Sequence, residues 1–67
     1  MLNIHLNGDV RSVPVGTNVA QLVATLALSG KRFAVERNGE IISKSCLETT
    51  LLADKDRVEI VIAVGGG

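Results

Sequence analysis

The sequence predicts an α+β domain: a mixed five-stranded sheet (about four to five strands) packed on one main helix, in the order ββαββ, a short turn, then β. Three observations carry this. Apolar residues recur with period two along several stretches, but with helical period along only one, at Val19, Leu22, Val23 and Leu26. Two Asn-Gly dipeptides, at 7–8 and 38–39, sit between alternating stretches as two-residue hairpin turns. The final stretch, 57–64, is apolar on both faces, which marks a strand in the middle of a sheet.

The elements follow in order. Leu2, Ile4 and Leu6 alternate with Asn3 and His5, as in a half-buried strand. Asn7 and Gly8 tolerate the positive φ of a tight turn, and Arg11, Val13 and Val15 then alternate with Ser12 and Pro14. Residues 1–15 therefore read as a hairpin. Pro14 has no N–H to donate, so its strand belongs at a sheet edge or a bulge. His5 reads as an exposed sheet residue. Gly16-Thr17 leads to Asn18, an N-cap, with Gln21 at the position that closes a capping box. The apolar stripe that follows belongs to a helix of about ten residues, stopped by Ser29-Gly30.

Phe33 and Val35 alternate with Ala34 and Glu36 as a third strand, and Glu40 to Ser43 form a short fourth strand after Asn38-Gly39. Ser45 to Glu48 repeats the capping-box pattern and starts one helical or 3₁₀ turn, with Leu47, Leu51 and Leu52 available to pin the loop to the core. Asp54-Lys55-Asp56 is a polar turn. In the last strand Val58, Ile60, Ile62 and Val64 share one face, and Glu59, Val61 and Ala63 the other. Lying centrally, it runs beside and parallel to the first strand. The expected core is Leu2, Ile4, Leu6, Val13, Val15, Val19, Leu22, Val23, Leu26, Phe33, Val35, Leu52, Val58 and Ile60. Residues 1–64 form the domain, and 65–67 a flexible glycine tail.

Composition narrows the function. A chain of 67 residues buries only about 60% of the surface its unfolded form exposes, so it is one small domain without a cleft between two lobes. A binding or carrier module, monomeric on its own, is expected rather than an enzyme. Lys+Arg 7 balance Asp+Glu 7, and the aromatic residues amount to one Phe. The basic surplus and aromatic platforms that nucleic-acid binding draws on are both missing. Cys46 is the single cysteine and His5 the single imidazole, which leaves no disulfide framework, no metal-ligand set and no assigned role for the thiol. The N-terminus has no basic start before an apolar run, and nothing approaches the ~20 apolar residues of a membrane span. A cytoplasmic protein without membrane contact is expected.

The chemistry is expected at the end of the chain. Gly65, Gly66 and Gly67 follow the last strand with no intervening loop. Without Cβ atoms, an extended glycine tail threads a channel too narrow for any side chain. A terminal glycine carboxylate is also sterically the easiest to bring in line with the α-phosphate of ATP. On the sheet face away from the helix, Ala34, Val61 and Ala63 form a candidate partner patch.

These residues resemble the ubiquitin-like β-grasp proteins, and among them the ThiS family of sulfur carriers of thiamine biosynthesis. The resemblance covers essentially the whole chain: Ile4-His5-Leu6-Asn7-Gly8, Asn18 to Val23, Phe33 to Ile42, Asp56 to Val61, and the closing Gly-Gly-Gly. Lys55 and Ala27 stand where that family often has Gly, so both are expected to carry left-handed backbone strain. The resemblance implies a carrier cycle. A ThiF-like, E1-type adenylyltransferase uses MgATP to turn the Gly67 carboxylate into an acyl-adenylate. A sulfur donor, such as a cysteine desulfurase carrying a persulfide, displaces AMP to leave a C-terminal thiocarboxylate. A ThiG-like thiazole synthase takes the sulfur. No cofactor or metal is implied on the carrier itself. The alternatives are a molybdopterin-synthase small-subunit type of sulfur carrier, a ubiquitin-like protein modifier, and a generic β-grasp interaction domain.

Overall fold

The computed structural model describes residues 1–26, 28 and 30–63. Ala27, Ser29, Val64 and the Gly65–Gly67 tail lie outside the described residues, as do the expectations attached to them.

Five strands and one helix follow the expected order: β1 Leu2–Leu6, β2 Asp9–Val13, α1 Val19–Ala24, β3 Phe33–Arg37, β4 Glu40–Ile42, a 3₁₀ turn at Lys44–Cys46, and β5 Arg57–Ile62. The sheet order is β2-β1-β5-β3-β4. The last strand is central, parallel to β1 and antiparallel to β3, as the β-grasp expectation has it. Both Asn-Gly turns take positive φ, 50° and 88° at Asn7-Gly8 and 52° and 86° at Asn38-Gly39. Their sharp reversal sets the register of each hairpin, with Leu6 opposite Asp9 and Arg37 opposite Glu40.

The helix begins as its sequence dictates. Asn18 Oδ1 accepts the Gln21 amide at 2.7 Å, and Gln21 Oε1 accepts the Asn18 amide at 2.9 Å. Two further helix-start amides find loop carbonyls: Val19 donates to Thr50 O at 2.9 Å and Ala20 to Leu47 O at 3.0 Å. The helix is shorter than expected, six residues rather than about ten. The Thr25 amide and hydroxyl both bond Leu22 O, and the Leu26 amide bonds Val23 O, so the last turn tightens after Ala24.

Ile4, Leu6, Val19, Leu22, Val23, Val35, Leu52, Val58 and Ile60 are buried as expected. Leu2, Val13, Leu26 and Phe33 are only partly buried and pack against this core. Leu28 joins the core although the sequence did not single it out. Val15 is a correction: it is 76% exposed, because β2 ends at Val13 and Pro14 opens a turn. Gly16 at φ 93° completes that turn, and the Thr17 amide and hydroxyl both bond Pro14 O. Leu51 is a second correction. It is exposed and bridges Asn18, leaving Leu47 and Leu52 to tie the loop down. A third is the expected cap at Ser45. The 3₁₀ turn starts one residue after Ser43, and no side chain caps it. Ile62 faces the core side opposite Phe33 but is partly exposed at the end of the sheet. Lys55 has the expected left-handed backbone, at φ 69°. No helix among the described residues is long and apolar enough to cross a membrane.

Candidate functional site

The root of the tail is built by the central strand. β5 pairs with β1 only at Arg57 and Val58, whose partners are His5 and Leu6. Beyond Val58 that side is taken by the first hairpin turn. The Asn7 amide donates to Val58 O at 2.9 Å, and Asn7 Oδ1 accepts the Ile60 amide at 2.8 Å. On the other side β3 accompanies β5 to Ile62, and the Ala63 amide then bonds Arg32 O at 2.9 Å. Ala63 is thus held at the end of the sheet, four residues before Gly67.

Alternation brings the expected patch residues together. Ala34 on β3 lies directly opposite Val61 on β5, and Ala63 follows just past the end of that strand. All three are exposed, Val61 by 59%. Ile41, at 73% exposure, was missed. The Asn38-Gly39 hairpin puts Ile41 opposite Glu36, on the same outer face. Its signal was present in the sequence, since the turn fixes that register. Glu36 and Glu59 were also missed: they face each other across β3 and β5, two residues along each strand from the Ala34–Val61 pair. Gly65, Gly66 and Gly67 lie outside the described residues.

Other polar groups have structural work. Asp56 is 4% exposed. Its Oδ2 accepts Arg37 Nε at 2.7 Å and the Ala53 amide at 2.8 Å, and its Oδ1 accepts Asn38 Nδ2 at 3.0 Å. Burial pushes this carboxyl up, but the bonds from Arg37, Ala53 and Asn38, with the charge of Arg37, outweigh it and hold it below its ordinary value. His5 is exposed, as expected. Cys46 is exposed, and hydrogen bonds with Ser43 and Ser45 lower its thiol. Among the described residues, no three His, Cys, Asp or Glu side chains gather to hold a metal. A hollow of about 560 Å³ between β2 and α1 is lined by Arg11 to Thr17 with Gln21, Leu22 and Thr25. Arg11 is the only charged residue in its lining.

Comparison with known proteins bears on this geometry. The sulfur carrier protein ThiS of Bacillus subtilis is 42% identical over 65 residues, covering 96% of this chain and 98% of that protein. A thiazole synthase of Magnetococcus marinus is 33% identical over 66 residues. That match covers 98% of this chain, which spans only 20% of the synthase. The crystal structure of the thiamine biosynthesis protein ThiS from Geobacter metallireducens superposes with a TM-score of 0.78 at 31% identity, covering 98% of this chain and 100% of that one. The ThiS family profile matches residues 4–67, and with a full-length relative and a matching fold beside it, the chain belongs to the ThiS family.

Proposed function

We propose that this chain is a sulfur carrier of thiamine biosynthesis, a co-substrate of other enzymes rather than an enzyme. The observation that carries the reading is its near end-to-end similarity to the Bacillus subtilis sulfur carrier. The glycine run directly after the last strand supports it.

A carboxylate does not exchange oxygen for sulfur unaided, because oxide is a very poor leaving group. An oxygen of the Gly67 carboxylate attacks the α-phosphorus of ATP on an E1-like, ThiF-type enzyme, and pyrophosphate leaves. The terminal sulfur of a cysteine persulfide on a desulfurase attacks the acyl carbon, and AMP leaves. A second thiol attacks the desulfurase cysteine sulfur of the resulting acyl disulfide and forms a disulfide with it, and the carrier leaves as a thiocarboxylate. Its sulfur is softer and more nucleophilic than the oxygen it replaced. The domain supplies reach and recognition, with Gly65, Gly66 and Gly67 as the tail and Ala34, Val61 and Ala63 as the docking surface.

A ThiG-type thiazole synthase is the acceptor. Support comes from a thiazole synthase in which a segment 33% identical to this chain makes up 20% of the length. The reading places the work in the reducing cytoplasm, where the lone Cys46 stays a thiol.

Mass spectrometry tests the assignment. Incubation with MgATP, the adenylating enzyme and the persulfide donor should raise the intact mass by the difference between sulfur and oxygen. Isopeptide adducts on lysines instead would identify a protein modifier and overturn the carrier reading.

A further inference from the structure

We propose that Glu36 and Glu59 form a receiving site for a basic side chain of the thiazole synthase, set within the apolar outer face that docks it; this rests on the carrier reading above. The two residues are direct cross-strand neighbours on β3 and β5. Residues so placed have Cβ atoms about 4.5–5.5 Å apart, and like charges there are destabilising. Neither carboxylate has an ion-pair partner among the described residues, where the only ion pair is Arg37 with Asp56. Arg57 is the nearest competitor. It lies on the same face two residues before Glu59 and makes no ion pair with either carboxylate.

The setting is that of an interface. Glu36, Asn38, Gly39, Arg57 and Glu59 line one hollow of about 480 Å³, with two carboxylates against one guanidinium. Apolar side chains flank the acids. Ile41 lies opposite Glu36 on β4, and Ala34 and Val61 form the next cross-strand pair on that face towards the tail root. An acidic pair bordered by exposed apolar side chains complements a cation that has apolar neighbours of its own. A guanidinium fits best, since its planar fork can bond two carboxylates at once. The occupant is taken as the synthase because a relative of this domain is built into a synthase chain. The cation would also fix the register in which the tail is presented, since charge pairs at interfaces set orientation and suppress wrong partners.

The test measures binding of the full-length carrier to a separately purified thiazole synthase, by titration calorimetry at low and high salt. The double variant Glu36→Gln/Glu59→Gln should melt at or above the wild-type temperature, because the repulsion is gone. Its Kd should nevertheless rise at least about tenfold, with a weaker salt dependence than wild type. Arg57→Gln should tighten binding, since it removes the competing cation. Val61→Asp should weaken binding without lowering the melting temperature. A Kd for the double Gln variant within about twofold of wild type, or weaker binding by Arg57→Gln, overturns the docking assignment alone. Loss of binding to the adenylating enzyme but not to the synthase overturns it too, because the occupant would be wrong. Absence of any wild-type binding to the synthase overturns the carrier reading along with it.

Discussion

Asn7 and Asn38 each do two jobs. Each adopts the positive φ that its turn requires, and each uses its side chain to brace β5. Asn7 Oδ1 holds the Ile60 amide at 2.8 Å, and Asn38 Oδ1 holds the Arg57 amide at 2.9 Å. Asn38 also reaches Asp56, which joins the second hairpin turn to the start of the central strand. Asp56→Asn should therefore destabilise the fold by about 1–3 kcal/mol at neutral pH, the scale of lost hydrogen bonds to a charged group. The sign of the pH dependence follows from the lowered native pKa of Asp56. Its contribution is fully present above the unfolded value of about 3.9 and is lost as pH falls through the native one. Urea denaturation of both proteins should show the difference shrinking in acid, and a constant difference down to low pH would refute the assignment. The turns were legible because Asn-Gly is a local signal. The clasp was not: Asp54-Lys55-Asp56 reads as a solvated turn, and the groups that bury Asp56 lie 18 and 19 residues away.

At the scale of elements, the helix shows what pattern conveys and what it omits. A six-residue helix does not form alone, since isolated helices shorter than ~12–15 residues are marginal in water. It exists because Val19, Leu22 and Val23 are buried and its first amides are tied to the 47–50 loop. Leu22, 3% exposed, should be the critical residue, and Leu22→Ala should cost roughly 2–5 kcal/mol. At about 0.05–0.15 kcal/mol per residue, the total stability of so small a domain is of similar size. Thermal unfolding should therefore show a collapsed or absent transition, and a loss under about 0.5 kcal/mol would mean that the helix face is misassigned. The stripe revealed the buried face but not the stop. Leu26 continues the apolar spacing, while Thr25 ends the helix by bonding back to Leu22 O. Val15 shows the same limit in a strand. Its alternation is intact, yet the chain has already turned away at Pro14.

In the molecule as a whole, the buried core and the exposed outer face share the central strand. The strand that anchors the fold by Val58 and Ile60 carries the exposed Val61 and runs on to the exposed Ala63, which the glycines follow in sequence. The sheet arrangement was legible because β5 is the longest apolar run and belongs at the centre. The outer face of β3 and β5 was legible only in part, because the charge on it emerges when two strands are brought into register. Under the carrier reading, everything after Ala63 acts by reach. Deleting Gly67 should leave the melting temperature unchanged, since no core residue is lost, yet abolish thiocarboxylate formation. The shortened chain still ends in a glycine carboxylate, so chemical identity is preserved and only position changes. One extended residue spans about 3.3–3.6 Å. A misplacement of about 1 Å can already cost a hundredfold in rate. Gly66→Val should act similarly by a different route, because a branched Cβ blocks a channel shaped for bare backbone. ATP–pyrophosphate exchange on the adenylating enzyme reads both variants directly. Normal exchange with the protein lacking Gly67 would show that the tail is dispensable and leave an interaction domain in place of a carrier.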